Sequence, residues 1–302
     1  MSVTRSDRFI RIGGASGYWG DASLATAQLL AEGDLDFIVY DYLAEITMAI
    51  LARQRKQDET TGYAADFVTR AMAQNLAKIA KNNVRVISNA GGINPRACAR
   101  AIREQIARQG LDLAVAVVTG DELTGMGETL AAEGIREMFS HAHFPQTDRI
   151  GSINAYLGAF PIAAALDRGA DIVITGRCVD SAVTLGACIH SFGWGADDFD
   201  LLAAGSLAGH VIECGTQATG GNFTDWGQVA GTLADIGYPI VEIERDGVFT
   251  VSKPTDTGGT VSHGTVAEQI VYEIGDPCAY VLPDVICDFS QVTVAETTPD
   301  RV

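Results

Sequence analysis

Five short apolar segments recur along the first 190 residues, and a polar loop that contains glycine follows each of them. The segments lie at residues 9–12, 37–41, 84–88, 113–118 and 171–175. Helical patterns separate them, and an alternation of strands with helices is typical of a parallel sheet that is covered by helices on both faces. The sequence therefore predicts an α/β protein with a mostly parallel, doubly wound, Rossmann-like sheet.

Local patterns predict further elements. Apolar positions at three- and four-residue spacings indicate one helix over residues 63–81. A helix over residues 154–168 should kink or divide at Pro161. The strand at residues 113–118 should be buried on both faces because it is nearly all apolar. The apolar pair at residues 211–212 predicts a sixth strand.

The pattern changes towards the end of the chain. Two alternating segments flank Asp246 and Gly247, and Asp-Gly between such segments is a strong hairpin signal. We therefore predict two units: an α/β parallel-sheet domain with glycine-rich site loops over residues 1–226, and an α+β segment over residues 227–302.

The charge of the chain restricts its partners. The net charge is −17 over 302 residues, whereas a nucleic-acid-binding protein needs a basic face. The one basic run, at residues 53–56, suits the end of a helix. No apolar run approaches the ~20 residues that a membrane span needs. We expect a cytoplasmic protein that binds neither nucleic acid nor membranes.

The metal-binding residue types are scattered. The six cysteines contain no C-x-x-C pair, which argues against a zinc ribbon and a redox dithiol. His141 and His143 lie two residues apart but lack a third ligand nearby, so they are expected to be ordinary loop histidines. No metal site and no separate cofactor are predicted, and coenzyme A is expected only as part of a substrate.

The stretch from His210 to Trp226, HVIECGTQATGGNFTDW, is dense in groups that bind small polar ligands. Functional groups concentrate on loops that rigid elements hold in place, which favours a site here. The alternative is an irregular surface loop whose side chains cap their own backbone. The glycine-rich start at residues 13–20 has similar alternatives: a backbone cradle for an anion or a thioester, or a tight β-to-α turn.

Parallel strands place their following loops at one edge of the sheet, where ligands of open α/β sheets bind. The loops at residues 13–21, 89–94, 176–181 and 213–225 should therefore converge on one cleft. The catalytic candidates are Glu213, the first choice for general base, and Asp180, Asp225 and Cys214, with Asp41 as a further carboxylate. The predicted substrate-binding residues are Gly14, Gly17, Asp21, Asn89, Gly91, Gly92, Asn94, Arg177, Ser181, Gly220, Gly221, Asn222 and Lys253.

Several of these residues have structural alternatives. Asp180 could equally cap the helix that follows it. Cys214 could be a nucleophile, although a buried structural cysteine is the commoner case. Arg177 and Lys253 are candidates to anchor a carboxylate or a phosphate, because both side chains carry a positive charge.

Long stretches of the sequence resemble the acyclic terpene utilisation AtuA family. The matching stretches lie at residues 13–21, 36–45, 86–95, 175–182, 202–226, 237–247, 253–259, 268–277 and 280–289. Members of this family continue beyond the point where the chain stops, so the resemblance implies a C-terminally truncated copy. It also implies a bacterial cytoplasmic protein encoded near acyl-CoA catabolic enzymes, such as those that degrade citronellol or geraniol.

The resemblance supplies no reaction, so two hypotheses stay open. In the first, the protein is an enzyme with hydratase or lyase chemistry on a branched acyl-CoA or a carboxylate, which needs a base and donors to an enolate-like oxygen. In the second, it is a non-catalytic ligand-binding or scaffold subunit that works with a small partner protein. A small anionic or thioester ligand and a homo-oligomer are expected under either hypothesis.

Overall fold

The computed structural model describes residues 8–21 and 23–302, and a sheet of seven strands lies at its centre. The strands are β1 (Phe9–Gly14), β2 (Phe37–Tyr40), β3 (Arg85–Ser88), β4 (Val115–Val118), β5 (Ile172–Thr175), β6 (Ile240–Glu244) and β7 (Phe249–Ser252). Their order in the sheet is β4-β5-β3-β2-β1-β6-β7. The strands β1 to β5 pair in parallel, and β6 pairs antiparallel with β1 and with β7. The predicted, mostly parallel sheet is therefore confirmed.

Helices cover both faces of this sheet. They are α1 (Ala25–Glu32), α2 (Glu45–Gln57), α3 (Leu76–Asn82), α4 (Pro95–Arg108), α5 (Gly127–Ala132), α6 (Phe160–Asp167), α7 (Ala182–Phe192), α8 (Phe199–Glu213) and α9 (His263–Val271). Successive strand side chains point to opposite faces. Ile38 accordingly packs in one core cluster with α1 to α4, and Val39 packs in the other with α6 to α8.

The predicted sixth strand is wrong. Residues 211–212 belong to the last turn of α8. Val211 and Ile212 are fully buried because they pack into the core cluster that α6 to α8 share with the sheet. An apolar pair of this length is compatible with either a buried strand or a buried helix, so its periodicity could not separate the two.

Two predicted helices differ from the observed ones. The helix predicted over residues 63–81 is divided into a π-helical turn at Phe67–Met72 and the helix α3. Between them, the Asn75 side chain donates to the carbonyl of Ala71 at 3.0 Å, a local hydrogen bond that competes with regular helix. Pro161 does not kink or divide a helix, because α6 begins at Phe160 and the proline lies in its first turn. The backbone N–H that proline lacks would have no partner within the helix at that position.

The strand predicted at residues 113–118 is not buried on both faces. In β4 only Val118 is buried, and the other three residues are partly exposed. The reason is its place at the end of the strand order, where it has a neighbour on one side only. An apolar composition alone could not distinguish this edge strand from a central one.

The hairpin predicted around Asp246 and Gly247 is confirmed. The Val248 amide donates to the Asp246 carboxylate at 3.1 Å, and Gly247 has a φ of +89°, which favours glycine. Because β6 pairs with β1, residues on both sides of position 226 share the main sheet. The division into two units at that position stays a prediction.

A two-stranded sheet of β8 (Tyr280–Val281) and β9 (Ile286–Cys287) lies near the end of the chain. Tyr280 and Phe289 pack together there, with ring centroids 5.8 Å apart. Among residues 8–21 and 23–302, no helix combines the length and the apolar character that crossing a membrane requires.

Candidate functional site

Buried polar side chains follow three neighbouring strands at the carboxyl edge of the sheet. Asp41 comes directly after β2, Asn89 directly after β3, and Arg177 two residues after β5. All three are buried. Asn89 donates from Nδ2 to the Asp41 carboxylate, and its Oδ1 accepts from the Tyr42 amide at 2.8 Å. Asn89 and Arg177 therefore both lie at the edge where the loops of these parallel strands meet, and their role in binding a substrate stays a prediction.

Arg177 is fixed by contacts of both its backbone and its guanidinium group. Its backbone amide donates to the Asp121 carboxylate at 2.8 Å, and its guanidinium forms an ion pair with Asp180. The guanidinium carbon also lies 4.1 Å from the centre of the Tyr156 ring, and one of its nitrogens lies 3.8 Å from Glu45. Burial opposes the charge, but Asp180 and its neighbours still raise the pKa of Arg177 above the usual range. The guanidinium is therefore a fixed positive charge.

Two carboxylates beside this cation have raised pKa values. Burial raises the pKa of Asp41 well above its ordinary value, and the nearby charges of Asp180 and Glu213 act in the same direction. Burial also raises the pKa of Asp180, although Arg177 opposes it. Each carboxyl group therefore holds its proton to a higher pH than an exposed aspartic acid.

Glu213 is the last residue of α8, and its carboxyl group lies near those of Asp41 and Asp180. The helix comes close to the loop after β5 because Gly209 has no side chain: a Cβ atom there would lie 2.7 Å from the Ser181 carbonyl oxygen. Glu213 is 7% exposed, and its Oε1 lies 2.9 Å from Nδ1 of His210 one turn earlier. Burial raises the pKa of Glu213 to about 7, against the lowering effect of His210. We call Asp41, Asn89, Arg177, Asp180 and Glu213 the edge cluster.

The glycine-rich turn after β1 is filled by the protein's own backbone. A Cβ atom on Gly14 would lie 2.5 Å from the carbonyl oxygen of Ile212, and one on Gly17 would lie 2.5 Å from the carbonyl carbon of Cys214. Asp21 closes the turn, since it accepts from the Gly17 amide at 3.0 Å and from the Tyr238 hydroxyl at 2.7 Å. These contacts favour the tight-turn alternative over an open cradle.

The loop after β3 is also tightly packed. A Cβ atom on Gly91 would lie 2.3 Å from the carbonyl oxygen of Thr175, and Gly92 has a φ of +51°. Asn94 caps α4: its Oδ1 accepts from the Ala97 amide at 3.4 Å, and its Nδ2 donates to two backbone carbonyls. These three residues shape the loop that carries Asn89.

Other predicted site residues have contacts outside the edge cluster. Lys253 donates to the Thr257 carbonyl at 2.9 Å and lies 3.2 Å from the Asp300 carboxylate. Asp225 is exposed at the start of a 3-10 turn. Gly220 has a φ of +104°, and a Cβ atom on it would lie 3.0 Å from the Val229 side chain. A Cβ atom on Gly221 would contact Thr216, and the structure places no hydrogen bond on the exposed side chain of Asn222 within the described ranges. None of these contacts involves the edge cluster.

Sequence reasoning missed several residues that surround the cluster. His210 was missed because the strand predicted at residues 211–212 concealed the His-x-x-Glu spacing, which puts both side chains on one helix face. Asp121 and Tyr156 flank a largely exposed segment, and its sequence carries no regular pattern that could have indicated their contacts with Arg177.

Two further chemical questions concern thiols and metals. Burial raises the pKa of the Cys214 thiol, which disfavours the thiolate that a nucleophile needs. Within residues 8–21 and 23–302, no group of three His, Cys, Asp or Glu side chains is placed to hold a metal ion. Acid–base chemistry by carboxyl groups is the chemistry that this arrangement supports best.

Comparison with known proteins gives one match. A family model described as acyclic terpene utilisation family protein AtuA matches residues 10–302, which is nearly the whole chain. No curated protein and no solved structure matches the chain. The matched residues include every member of the edge cluster.

Proposed function

The chain belongs to the acyclic terpene utilisation family AtuA, and from this premise we propose that the edge cluster performs hydratase or lyase chemistry on a branched acyl-CoA. The role of the family in acyclic terpene utilisation indicates a branched carbon skeleton. The acid–base groups at the sheet edge indicate proton transfer. The observation that carries the proposal is the buried Glu213, whose pKa lies close to neutral pH.

Glu213 has the properties of a general base. A group that gives and takes protons is most effective when its pKa is close to the working pH, and burial brings the pKa of this carboxyl group to about 7. Its hydrogen bond to His210 fixes the side chain, so one orientation of the carboxylate is held in advance. Perturbed carboxyl groups that cluster at the carboxyl edge of a parallel sheet are also typical of functional sites.

The proposed hydration needs one group to remove a proton and another to supply one. As the oxygen of water bonds to the β-carbon of an enoyl thioester, Glu213 takes the water proton and the double-bond electrons form an enolate. Asp41 then donates its proton to the α-carbon, since its pKa, raised well above the ordinary value, keeps the acid form available. One proton passes through solvent from Glu213 to Asp41 to restore both groups. Dehydration follows the same steps in reverse.

The charge of the cluster favours a thioester over a free carboxylate. Arg177 is already engaged by Asp180 and Glu45, and Asp41 and Glu213 add further acidic groups around it. These acidic groups would repel the free carboxylate of a substrate, whereas a thioester carbonyl carries no net charge. Coenzyme A thus enters as part of the substrate, with its phosphates outside the cluster.

A second candidate is a non-catalytic ligand-binding or scaffold subunit that acts with a small partner protein. Two features favour this candidate, because both serve structural contacts within the protein. Arg177 is already engaged by other side chains, and the turn at Gly14 and Gly17 is packed against the backbone. A homo-oligomer is compatible with either candidate.

Turnover of geranyl-CoA, a branched enoyl thioester, separates the two candidates. We expect the wild-type protein to form the hydrated acyl-CoA, detected by mass spectrometry as the gain of one water. Glu213→Gln should lower kcat/KM by about 10²- to 10⁴-fold while the circular dichroism spectrum is kept. The exposed Glu133→Gln is the matched control. Binding of geranyl-CoA in calorimetry without turnover by the wild type would overturn the enzyme proposal in favour of the binding subunit.

A further inference from the structure

His210 is a buried ionisable side chain that forms a hydrogen bond with Glu213. It is 2% exposed, and it lies three residues before Glu213, on the same face of α8. A histidine at this degree of burial needs partners for both ring nitrogens. Nδ1 has Glu213 at 2.9 Å, whereas Nε2 has no hydrogen-bond partner within residues 8–21 and 23–302.

The surroundings hold the ring in this orientation. The Tyr280 ring centroid lies 6.2 Å from that of His210, and Gln269 on α9 donates to the His210 carbonyl at 2.9 Å. Four residues before His210 along the helix, the Ser206 hydroxyl is buried and likewise has no hydrogen-bond partner among the described residues. A polar stripe of Ser206, His210 and Glu213 thus runs along α8 into a core that is otherwise apolar.

We propose that His210 is a positioning residue that shares one proton with Glu213, so that the two side chains act as a single acid–base unit. In the resting pair the shared proton lies on Nδ1 of His210, so the Glu213 carboxylate stays ionised and takes the substrate proton on its other oxygen, Oε2. The positive charge of the imidazolium is balanced by the carboxylate inside the resting pair. No proton is lost or created, because the pair returns to one shared proton between Oε1 and Nδ1 when the substrate proton leaves Oε2.

The other ionisable groups near Glu213 are acidic and explain why a basic partner is needed. Asp180 in the loop after β5 and Glu273 after α9 both act electrostatically on Glu213. The charge of Glu213 in turn raises the pKa of Asp41 after β2, of Tyr280 on β8 and of Cys214. His210 acts in the opposite direction to the acidic groups: it lowers the pKa of Glu213 and lies within hydrogen-bond distance of its carboxylate.

The test measures Glu213 directly and does not require turnover. Protein labelled with ¹³C at the glutamate carboxyl carbons is titrated by NMR, and the signal absent from Glu213→Gln assigns residue 213. Replacing His210 by Asn keeps a hydrogen-bond donor but removes the titratable ring. We expect the titration midpoint of Glu213 to rise by about one pH unit in His210→Asn, since an opposing charge is lost. His263→Asn, on the exposed start of α9, should leave the midpoint unchanged.

An unchanged midpoint in a folded His210→Asn protein would overturn the proposal. If that variant does not fold, ¹⁵N NMR of the wild-type His210 ring replaces it. The ring signal should titrate together with Glu213, and a ring that stays constant through that midpoint would also overturn the proposal. Because the inference rests on the proposed role of Glu213 as general base, kcat/KM for geranyl-CoA is measured against pH separately. Absence of turnover would overturn the proposed function, while the NMR midpoints still decide whether the two residues share a proton.

Discussion

Gly17 faces the backbone of Cys214 so closely that a Cβ atom on Gly17 would lie 2.5 Å from the Cys214 carbonyl carbon. This contact joins the turn after β1 to the residue that follows α8. It therefore fixes where Glu213, the last residue of that helix, lies relative to the sheet.

The contact predicts that Gly17→Ala lowers the free energy of unfolding by about 1–3 kcal/mol, because overpacking forces the backbone apart. Urea unfolding followed by circular dichroism is the measurement. Gly151→Ala is the control, since no atom lies within 4 Å of the added Cβ and the change should be within about 0.5 kcal/mol. Equal stability of the two variants, with loss of ligand binding in Gly17→Ala alone, would instead support an open anion cradle.

Glu213 predicts a dependence of stability on pH. Its pKa is raised from 4.5 to about 7 in the folded protein, so the folded state binds more protons than the unfolded state between these values. Stability should therefore fall as pH rises through this window. Glu213→Gln should be more stable than wild type by up to about 3 kcal/mol at about pH 8, with the difference shrinking towards acid pH. Thermal unfolding across pH tests this, and a constant difference between the two proteins would contradict it.

Arg177 predicts a large loss of stability on truncation. Arg177→Met leaves the half-buried carboxyl group of Asp180 and the buried one of Asp41 without their cation, and removing one partner of a buried charge costs up to about 3–5 kcal/mol. Arg108→Met is the matched control, because its ion pair with Glu104 is exposed and should contribute less than about 1 kcal/mol. The two variants are compared by urea unfolding. Similar values for both would show that the Arg177 pair is not effectively buried.

Much of the fold could be predicted because glycine-containing loops separate its central strands. The segments at residues 37–41 and 171–175 are short, apolar and bounded by polar loops, and the structure forms β2 and β5 there. The exposed flank of β4 could not be predicted, since nothing in an apolar tetrapeptide indicates which strand ends a sheet. The strand predicted at residues 211–212 was wrong for a related reason, because the second half of α8 is buried and so lacks the solvent-exposed polar face that identifies a surface helix.

Strand order made one part of the candidate site predictable. Asn89 and Arg177 follow parallel strands, so their meeting at one edge came from topology alone. Lys253 could not be placed in the same way, because the residues that engage it, Thr257 and Asp300, lie in irregular segments whose course the sequence does not specify.

Lys253 gives the last prediction, which concerns the final residues of the chain. Its ammonium group lies 3.2 Å from Asp300, and nearby Val302 and Val251 exchange backbone hydrogen bonds of 2.7 and 3.0 Å. Removing the cation leaves Asp300 without this partner, so Lys253→Met should release the terminal residues from β7. Hydrogen exchange at the Val251 and Val302 amides should then become faster, and Asp300→Asn should have the same effect. Binding of geranyl-CoA should be unchanged in both variants. Loss of binding in Lys253→Met with slow exchange retained would instead assign Lys253 the anion-anchoring role that its sequence context suggested.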